Sequence, residues 1–145
     1  VLFTGVQMNP FALLAKADVY ALTSDSEGFP NALIEAMAVG LPCVSVNCKT
    51  GPAEILQNDY QQCDAQDKVY HADYGILTPV FYGGKNLDAS MISQEEEIFA
   101  GELAELLLDQ ELMASYRNKA LYRANQFGVD AYVKEIDRLI TQELE

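Results

Sequence analysis

Short apolar runs alternate with helix signals through the first half of the chain, and this alternation restricts the fold more than any other feature. The run at 19–22, "VYAL", and the run at 43–46, "CVSV", are apolar along almost their whole length, with a helix pattern between them. A third run, at 75–79, follows a second, shorter helix signal. Apolar strands separated by helices are typical of a parallel sheet covered on both faces. The sequence therefore predicts an α/β domain.

Start and stop signals mark the helices that connect these runs. Asn9 followed by Pro10 predicts a helix start, with asparagine as the N-cap and proline in the first helical position. A second helix is predicted over residues 30–39, with a stop at Gly40. A shorter helix is predicted to start at Pro52.

The second half of the chain is predicted to be mostly helical. After a loop at 81–93, Ser93 and Glu96 form a capping-box pattern ahead of one helix. Another helix is predicted over 111–126, and a last one from near Asp130. Apolar side chains at helical spacing predict that these helices pack against the rest of the domain; in the last helix they are Tyr132, Val133, Ile136, Leu139 and Ile140.

The segment "SEGFPNALIEAMAVGLP", at 26–42, is a loop that turns directly into a helix. With Pro30 in the first helical position, the amides of Asn31, Ala32 and Leu33 are expected to lack intrahelical partners. Free amides at a helix N-terminus bind anions without a charged side chain. The loop follows a predicted parallel strand, at the sheet edge where open α/β sheets bind ligands. The segment therefore predicts a phosphate site.

Two carboxylates, Glu27 and Glu35, flank the predicted phosphate site. A carboxylate repels phosphate but accepts paired hydrogen bonds from hydroxyls, and a ligand with a central phosphate and hydroxyls on both sides is a nucleotide sugar. The alternative is that Glu27 is a loop acid and Glu35 a solvated helix residue. Glu35 and Asn31 share a helix face that differs from the apolar face, which is formed by Ala32, Leu33, Ala36, Met37 and Gly40.

The composition restricts the partners and the setting of the protein. The net charge is −13, with 22 acidic and 9 basic residues, which argues against nucleic acid as a partner. Three cysteines without metal-site spacing, Cys43, Cys48 and Cys63, indicate reduced thiols and a cytoplasmic protein. No apolar run approaches the roughly 20 residues of a membrane span. The first residues show neither an initiator methionine nor a signal-peptide pattern, so we expect a fragment of a longer protein.

Two segments resemble the C-terminal domain of retaining GT-B glycosyltransferases of the family 4 type: "ADVYALTSDSEGFPNALIEAMAVGLPCVS" and "GPAEIL". The family's pattern of Glu, seven residues, Glu falls on Glu27 and Glu35, in the EGFPN form. The resemblance is specific over 9–56 and weaker in "YGILTP" and in the helical tail. It implies a Rossmann-like parallel sheet with helices on both faces and a helical C-terminal tail. Residues 1–145 would form a single nucleotide-sugar-binding domain, the C-terminal half of a two-domain enzyme.

The resemblance implies a role for most residues of this loop and helix start. Glu27 matches the acid that contacts the hydroxyls of the donor sugar, and it is the residue assigned to catalysis. Glu35 matches the acid that holds the ribose hydroxyls. Phe29 matches a position whose backbone N–H faces the sugar. Asn31 and Ala32 match positions whose amides approach the diphosphate.

Gly28 completes this set of donor-binding residues, and next to it the chain departs from the common family form. Many members have a second glycine where this chain has Pro30, and proline offers no N–H, so one backbone contact to the sugar is absent. The turn at Lys49, Thr50 and Gly51 resembles a glycine-containing turn that closes over the donor. Lys49 is either a phosphate or sugar contact or a plain surface lysine.

Two further residues of this part of the chain have open interpretations. Glu54 is either a site residue or a first-turn acid that the helix dipole favours. His71, the one histidine, is predicted to be structural rather than to contact a ligand.

The resemblance implies transfer of a sugar from a nucleotide-diphosphate donor to an acceptor, with retention of anomeric configuration. UDP is the expected nucleotide, with GDP as the alternative; no cofactor and no metal are expected. The acceptor, a glycan or lipid-linked glycan of bacterial surface polysaccharide or lipopolysaccharide synthesis, would bind an N-terminal domain outside these residues. We expect the full-length enzyme to be cytoplasmic, with peripheral association at the inner face of the membrane, and this chain alone to be inactive.

Other classes of protein also place two carboxylates near a ligand. A glycoside hydrolase uses two carboxylates across the scissile bond, but it has no need of an anion site between them. A non-catalytic sugar-nucleotide binding module would bind the donor without turnover. A sugar-nucleotide epimerase shares the fold but matches the EGFPN form poorly.

Overall fold

The computed structural model describes residues 1–81, 88 and 90–142, and it shows an α/β fold. The described residues form a four-stranded sheet with the order β1-β2-β4-β3. The strands are β1 Tyr20–Leu22, β2 Cys43–Val46, β3 Tyr70–His71 and β4 Ile76–Thr78. The strands β1, β2 and β4 are parallel to one another, which confirms the predicted parallel sheet.

The edge strand β3 was not predicted from the sequence. It pairs antiparallel with β4, with Tyr70 opposite Leu77 and His71 opposite Ile76. With a length of two residues, β3 is too short to show the alternation by which a half-buried strand is recognised.

Helices surround the sheet and account for most of the second half of the chain. Most of the loop predicted at 81–93 lies outside the described residues. The capping box that precedes α4 is confirmed: the Glu96 N–H donates to Ser93 Oγ at 3.2 Å, and the Ser93 N–H donates to Glu96 Oε2 at 2.7 Å. The helices of the described residues are α1 Phe11–Leu14, α2 Asn31–Ala38, α3 Pro52–Leu56, α4 Gln94–Leu108, α5 Gln110–Asn125 and α6 Val129–Gln142.

The helix α2 begins one residue later than predicted. Pro30 is its N-cap, with φ −74° and ψ 92°, rather than its first helical residue. The predicted stop at Gly40 is confirmed: with φ 79°, this glycine lets the Leu41 N–H reach back to the Ala36 carbonyl at 3.1 Å. The predicted N-cap of α1 is also displaced, because Pro10 takes that position and not Asn9.

Apolar clusters lie on both faces of the sheet. Alternate residues of β2 point to opposite faces, so Cys43 belongs to one cluster and Val44 to the other. The helix α2 packs on the face of the sheet to which Cys43 points, and it does so through Leu33, Ala36 and Met37, which are fully buried. Three of the predicted packing positions of α2 are thereby confirmed, whereas Ala32 is exposed at the start of the helix.

The prediction that the last helix packs against the domain is wrong for the described residues. The five apolar side chains of α6 that were predicted to pack are exposed, from Ile136 at 38% to Tyr132 at 67%. Its neighbours do pack: α4 buries Phe99 and Leu106, and α5 buries Tyr116. Helical spacing identifies an apolar face but not a surface that covers it, which is why the sequence was misleading here.

Candidate functional site

The N-terminus of α2 presents two free backbone amides. The Leu33 N–H, which was predicted to be free, donates to the Pro30 carbonyl at 3.0 Å, because Pro30 is the N-cap. Among the described residues, the N–H groups of Asn31 and Ala32 have no hydrogen-bond acceptor, and both residues are exposed. Since the helix dipole adds to these two donors, the helix start can hold an anionic group.

A cavity of about 520 Å³ opens beside this helix start. Phe29, Asn31 and Glu35 of the predicted site line one wall, and residues at the end of α5 and in α6 line the other. The structure thus brings three predicted residues together beside the free amides. The remaining lining residues are Ile34, Gln126, Phe127, Ala131, Tyr132 and Glu135, of which the sequence predicted none as a site residue.

Glu27 lies outside the lining of this cavity, but Tyr20 links it to Glu35. Burial raises the pKa of the Tyr20 phenol, and the neighbouring Cys43 thiol raises it further. The carboxylates of Glu27 and Glu35 both add to the same rise in pKa. Both carboxylates therefore act on the same phenol. Tyr20 was not predicted as a site residue from the sequence.

The turn at 49–51 packs directly on the loop that carries Glu27. The Thr50 hydroxyl donates to the Glu27 carbonyl oxygen. Gly51, with φ 94°, lies so close to that loop that a Cβ would meet Pro30 Cδ at 2.4 Å and the Gly28 carbonyl oxygen at 2.8 Å. Two loops that the sequence separates by some 20 residues therefore form one surface at the carboxyl edge of the sheet.

The other predicted residues of this region fall outside the cavity beside α2. Lys49 is exposed and lines a separate cavity beyond the turn. Glu54 Oε1 accepts the Gly51 N–H at 3.3 Å, so this carboxylate caps α3. His71 Nε2 lies 3.1 Å from Glu102 Oε2, so this side chain of β3 faces α4 and lines neither cavity.

A partly buried arginine, Arg123, supports the start of α2, and it was missed in the sequence. Arg123 donates to the carbonyls of Ile55 and Glu54, both at 2.8 Å, and thereby caps the C-terminal end of α3. Its guanidinium lies 4.8 Å from the centre of the Phe127 ring. That ring meets Phe29 edge to face at 5.5 Å. Burial lowers the pKa of Arg123. The arginine thus positions Phe29 through one intervening ring.

The cysteines match the prediction of free thiols, since Cys43, Cys48 and Cys63 are all unpaired and buried. Burial raises the pKa of each thiol, which disfavours the reactive thiolate. Within the described ranges, no three His, Cys, Asp or Glu side chains are grouped to hold a metal ion. No described helix combines the length and apolar character that a membrane span needs.

The fold matches that of the pneumococcal O-GlcNAc transferase GtfA, whose crystal structure contains UDP and GlcNAc. The TM-score is 0.60 at 16% sequence identity, over 94% of this chain and 23% of that one. This fold is the α/β domain of a GT-B glycosyltransferase. The chain belongs to the family of glycosyl transferases group 1, whose sequence profile matches residues 1–73 and so includes both loops of the site.

Two relatives match nearly the whole chain. An uncharacterised glycosyltransferase of Methanocaldococcus jannaschii is 36% identical over 143 residues, which are 97% of this chain. The second is an enzyme of Campylobacter jejuni, N-acetylgalactosamine-N,N'-diacetylbacillosaminyl-diphospho-undecaprenol 4-alpha-N-acetylgalactosaminyltransferase, 31% identical over 127 residues or 88% of this chain. The chain spans 35% of the length of the first relative and 28% of the second.

Proposed function

We propose that this chain is the donor-binding domain of a retaining glycosyltransferase of the family 4 type. The full-length enzyme transfers a sugar from a nucleotide-diphosphate sugar, with UDP as the nucleotide, to an acceptor. The observation that carries the proposal is the pair of free amides at Asn31 and Ala32, with the Glu35 carboxylate one turn further along the same helix.

Each group has a separate role in this proposal. The amides of Asn31 and Ala32 bind the diphosphate, where they stabilise the charge that develops as the bond to the anomeric carbon breaks. Glu35 accepts hydrogen bonds from the ribose hydroxyls. Glu27 accepts hydrogen bonds from the hydroxyls of the transferred sugar, and the Phe29 N–H and Gly28 approach the same ring. A geometry fixed before the reaction is what makes such donors effective in a transition state.

The reaction proposed is substitution on one face of the sugar. The anomeric carbon loses its bond to the diphosphate, which leaves with the electron pair. The acceptor oxygen forms the new bond from the same side, and its proton passes to the departing phosphate oxygen. We assign no residue that lines the cavity beside α2 as a covalent nucleophile, so we do not propose a double displacement.

The relatives support the choice of donor and acceptor. The pneumococcal structure of the same fold contains UDP and GlcNAc. The name of the Campylobacter enzyme describes a glycan on diphospho-undecaprenol as its acceptor. We therefore propose a lipid-linked glycan of surface polysaccharide or lipopolysaccharide synthesis as the acceptor, bound mainly by an N-terminal domain of a cytoplasmic enzyme. No metal or cofactor takes part in this proposal.

A donor screen on the full-length protein tests the proposed function. Thermal unfolding is followed with UDP, GDP, UDP-glucose, UDP-galactose and UDP-N-acetylglucosamine, each well above its expected dissociation constant. A ligand at 100 times its dissociation constant stabilises the folded protein by about 2.7 kcal/mol, which is an easily measured rise in Tm. Unchanged Tm values with every nucleotide would contradict the proposal.

A pair of substitutions at Asn31 tests the amide site itself. Asn31→Pro removes the N–H at the first position of α2, where proline is tolerated and where the preceding residue is already extended. Asn31→Ala removes the side chain but keeps the N–H, and it serves as the matched control. Loss of a hydrogen bond to a charged group is worth about 1.5–3 kcal/mol, so Asn31→Pro should weaken UDP binding roughly 10- to 150-fold more than the control does.

A further inference from the structure

A second cavity, of about 580 Å³, lies at the carboxyl end of β2, between α3 and the 3₁₀ helix at Tyr60–Cys63. It shares no lining residue with the cavity beside α2. The second cavity nevertheless adjoins the proposed donor site. Gly51 lines this cavity, as Lys49 does, and Gly51 also packs against Gly28 of the donor-binding loop. Its volume lies in the range of small-molecule sites.

The walls of this cavity are held in place by buried hydrogen bonds. Asn47, which follows β2 and is 2% exposed, donates from Nδ2 to the Cys63 carbonyl at 2.9 Å and to the Ala65 carbonyl at 3.2 Å. The Val80 N–H donates to the Gln66 carbonyl at 2.9 Å, which ties the far wall to the end of β4. The cavity is therefore a built feature of the fold rather than a gap beside a loose loop.

The chemistry of the lining suits a neutral ring that carries hydroxyl groups. Within the part of the chain that the structure describes, the side chains of Gln61, Asp64 and Gln66 form no hydrogen bonds of their own. Amide and carboxylate groups of this kind donate to and accept from hydroxyls. Tyr60, 49% exposed, offers an aromatic surface to the apolar face of a ring.

The charges around the cavity argue against a phosphate as its occupant. Lys49 supplies one positive charge, whereas Glu54 and Asp64 supply two negative ones. The chain as a whole carries a net charge of −13. A polyanion would meet repulsion here, and unlike the start of α2 the lining has no long helix whose dipole could offset it.

We infer that this second cavity is a sugar subsite, which binds a neutral pyranose ring next to the donor site. The inference rests on the proposed function, and it adds a part of the substrate that the diphosphate site does not contact. The ring is one of the acceptor glycan, because the sugar of the donor is already proposed to lie against Glu27, Gly28 and Phe29, none of which lines this cavity.

Saturation-transfer NMR on this chain in the presence of UDP tests the inference. The probes are methyl glucoside, methyl galactoside and methyl N-acetylglucosaminide at millimolar concentration, the range in which single sugar rings bind. Signals of at least one glycoside are expected in the wild-type protein. Absence of saturation transfer for all three, or signals that are unchanged in the variants described next, would overturn the subsite.

Substitutions locate the binding. Tyr60→Ala should weaken glycoside binding roughly 2- to 12-fold, the loss that one aromatic contact carries, and Tyr60→Phe should retain it. Gln61→Ala should weaken binding by a similar factor through one lost hydrogen bond. Gln62→Ala is the matched control, because Gln62 neighbours Gln61 on the same 3₁₀ helix but bonds to Asp59 at 3.0 Å outside the cavity.

Competition tests this assignment to the acceptor. Neither UDP nor UDP-glucose should displace the glycoside, and displacement by either would overturn the acceptor subsite. UDP signals in the same spectra report on the proposed function independently. Missing UDP signals count against the donor site, whereas missing glycoside signals with UDP bound count against the subsite alone.

Discussion

Gly51 joins the two loops of the candidate site because its position accepts no side chain. Its φ of 94° is unfavourable for other residues, and the space where a Cβ would lie is occupied by Pro30 and the Gly28 carbonyl. The turn can therefore approach the loop that carries Glu27, so that the Thr50 hydroxyl reaches the Glu27 carbonyl. A single residue type thus determines how closely the loops pack.

Gly51→Ala should destabilise this chain by about 2–4 kcal/mol in urea unfolding, since backbone strain and a steric clash act together. The control is Gly101→Ala in α4, where a Cβ meets nothing within 4 Å. That change should stabilise the chain by about 0.5–1 kcal/mol through helix propensity. Similar unfolding free energies for the two variants would show that the loops are not in contact.

Arg123 acts at the scale of elements, because it ties the end of α3 to α5. It offers charged donors to the carbonyls of Ile55 and Glu54, which would otherwise be unpaired at a helix C-terminus. The ring of Phe127 extends this support to Phe29 at the start of α2. The candidate site is therefore positioned partly by a residue that never lines it.

Arg123→Met should lower the free energy of unfolding of this chain by about 2–4 kcal/mol, because it leaves helix carbonyls without donors. Arg117→Met, an exposed arginine on the same helix, is the control and should change stability by less than about 0.5 kcal/mol. Urea denaturation measures both. If the Arg123 variant unfolds like its control, the arginine does not hold α3 in place.

The helix α6 contributes little packing to the described structure, so substitutions of its apolar residues should have little effect on stability. A triple variant that carries Val133→Gln, Leu139→Gln and Ile140→Gln should be almost as stable as the wild-type chain. The free energy of unfolding should fall by about 0.5 kcal/mol or less per position, because these side chains are exposed. Leu106→Ala, at a fully buried position of α4, should lose about 2–5 kcal/mol in the same assay. A loss in the triple variant as large as that of Leu106→Ala would show that α6 is docked.

The sequence predicted elements best where local pattern and burial agree. The strand β2 has the predicted bounds, because Cys43–Val46 is buried on both faces and reads as a continuous apolar run. The start of α2 was displaced by one residue, since proline is compatible with both the N-cap and the first helical position. The short strand β3 and the uncovered face of α6 depend on contacts that local patterns do not contain.

At the scale of the candidate site, the sequence predicted the residues near the start of α2 but not those that distant elements bring to it. Asn31 and Glu35 were identified because they lie four positions apart on one helix. Arg123 contacts Ile55 across 68 positions, and nothing in either local sequence indicates the pairing. Tyr20 was missed for the same reason, because its position relative to Glu27 and Glu35 follows from the sheet.

The whole protein is proposed to need more than this chain for its reaction. The chain spans 35% of the length of its Methanocaldococcus relative. The proposed acceptor domain belongs to a part of the full-length protein that these residues do not include. We expect the isolated chain to bind UDP and to transfer no sugar from a radiolabelled UDP-sugar mixture to membrane lipids, whereas the full-length protein should do so. Transfer by the isolated chain would show that the proposed division into domains is wrong.

The central claim is that the two carboxylates hold different parts of the donor, and calorimetry on the full-length protein tests it most directly. UDP contains the ribose but lacks the transferred sugar. Glu35→Ala should therefore weaken UDP binding roughly 10- to 150-fold, the equivalent of a lost charged hydrogen bond. Glu27→Ala should leave UDP binding nearly intact and instead reduce turnover by a similar factor.

Glu105→Ala is the control for these titrations, since Glu105 is an exposed acid on α4, which packs on the sheet face opposite to that of α2. It should bind UDP like the wild-type protein. The account predicts a large loss of UDP affinity for Glu35→Ala alone among the three variants. Equal losses for Glu27→Ala and Glu35→Ala would contradict the separate roles, and no loss of binding or turnover in either would mean that both acids are merely solvated.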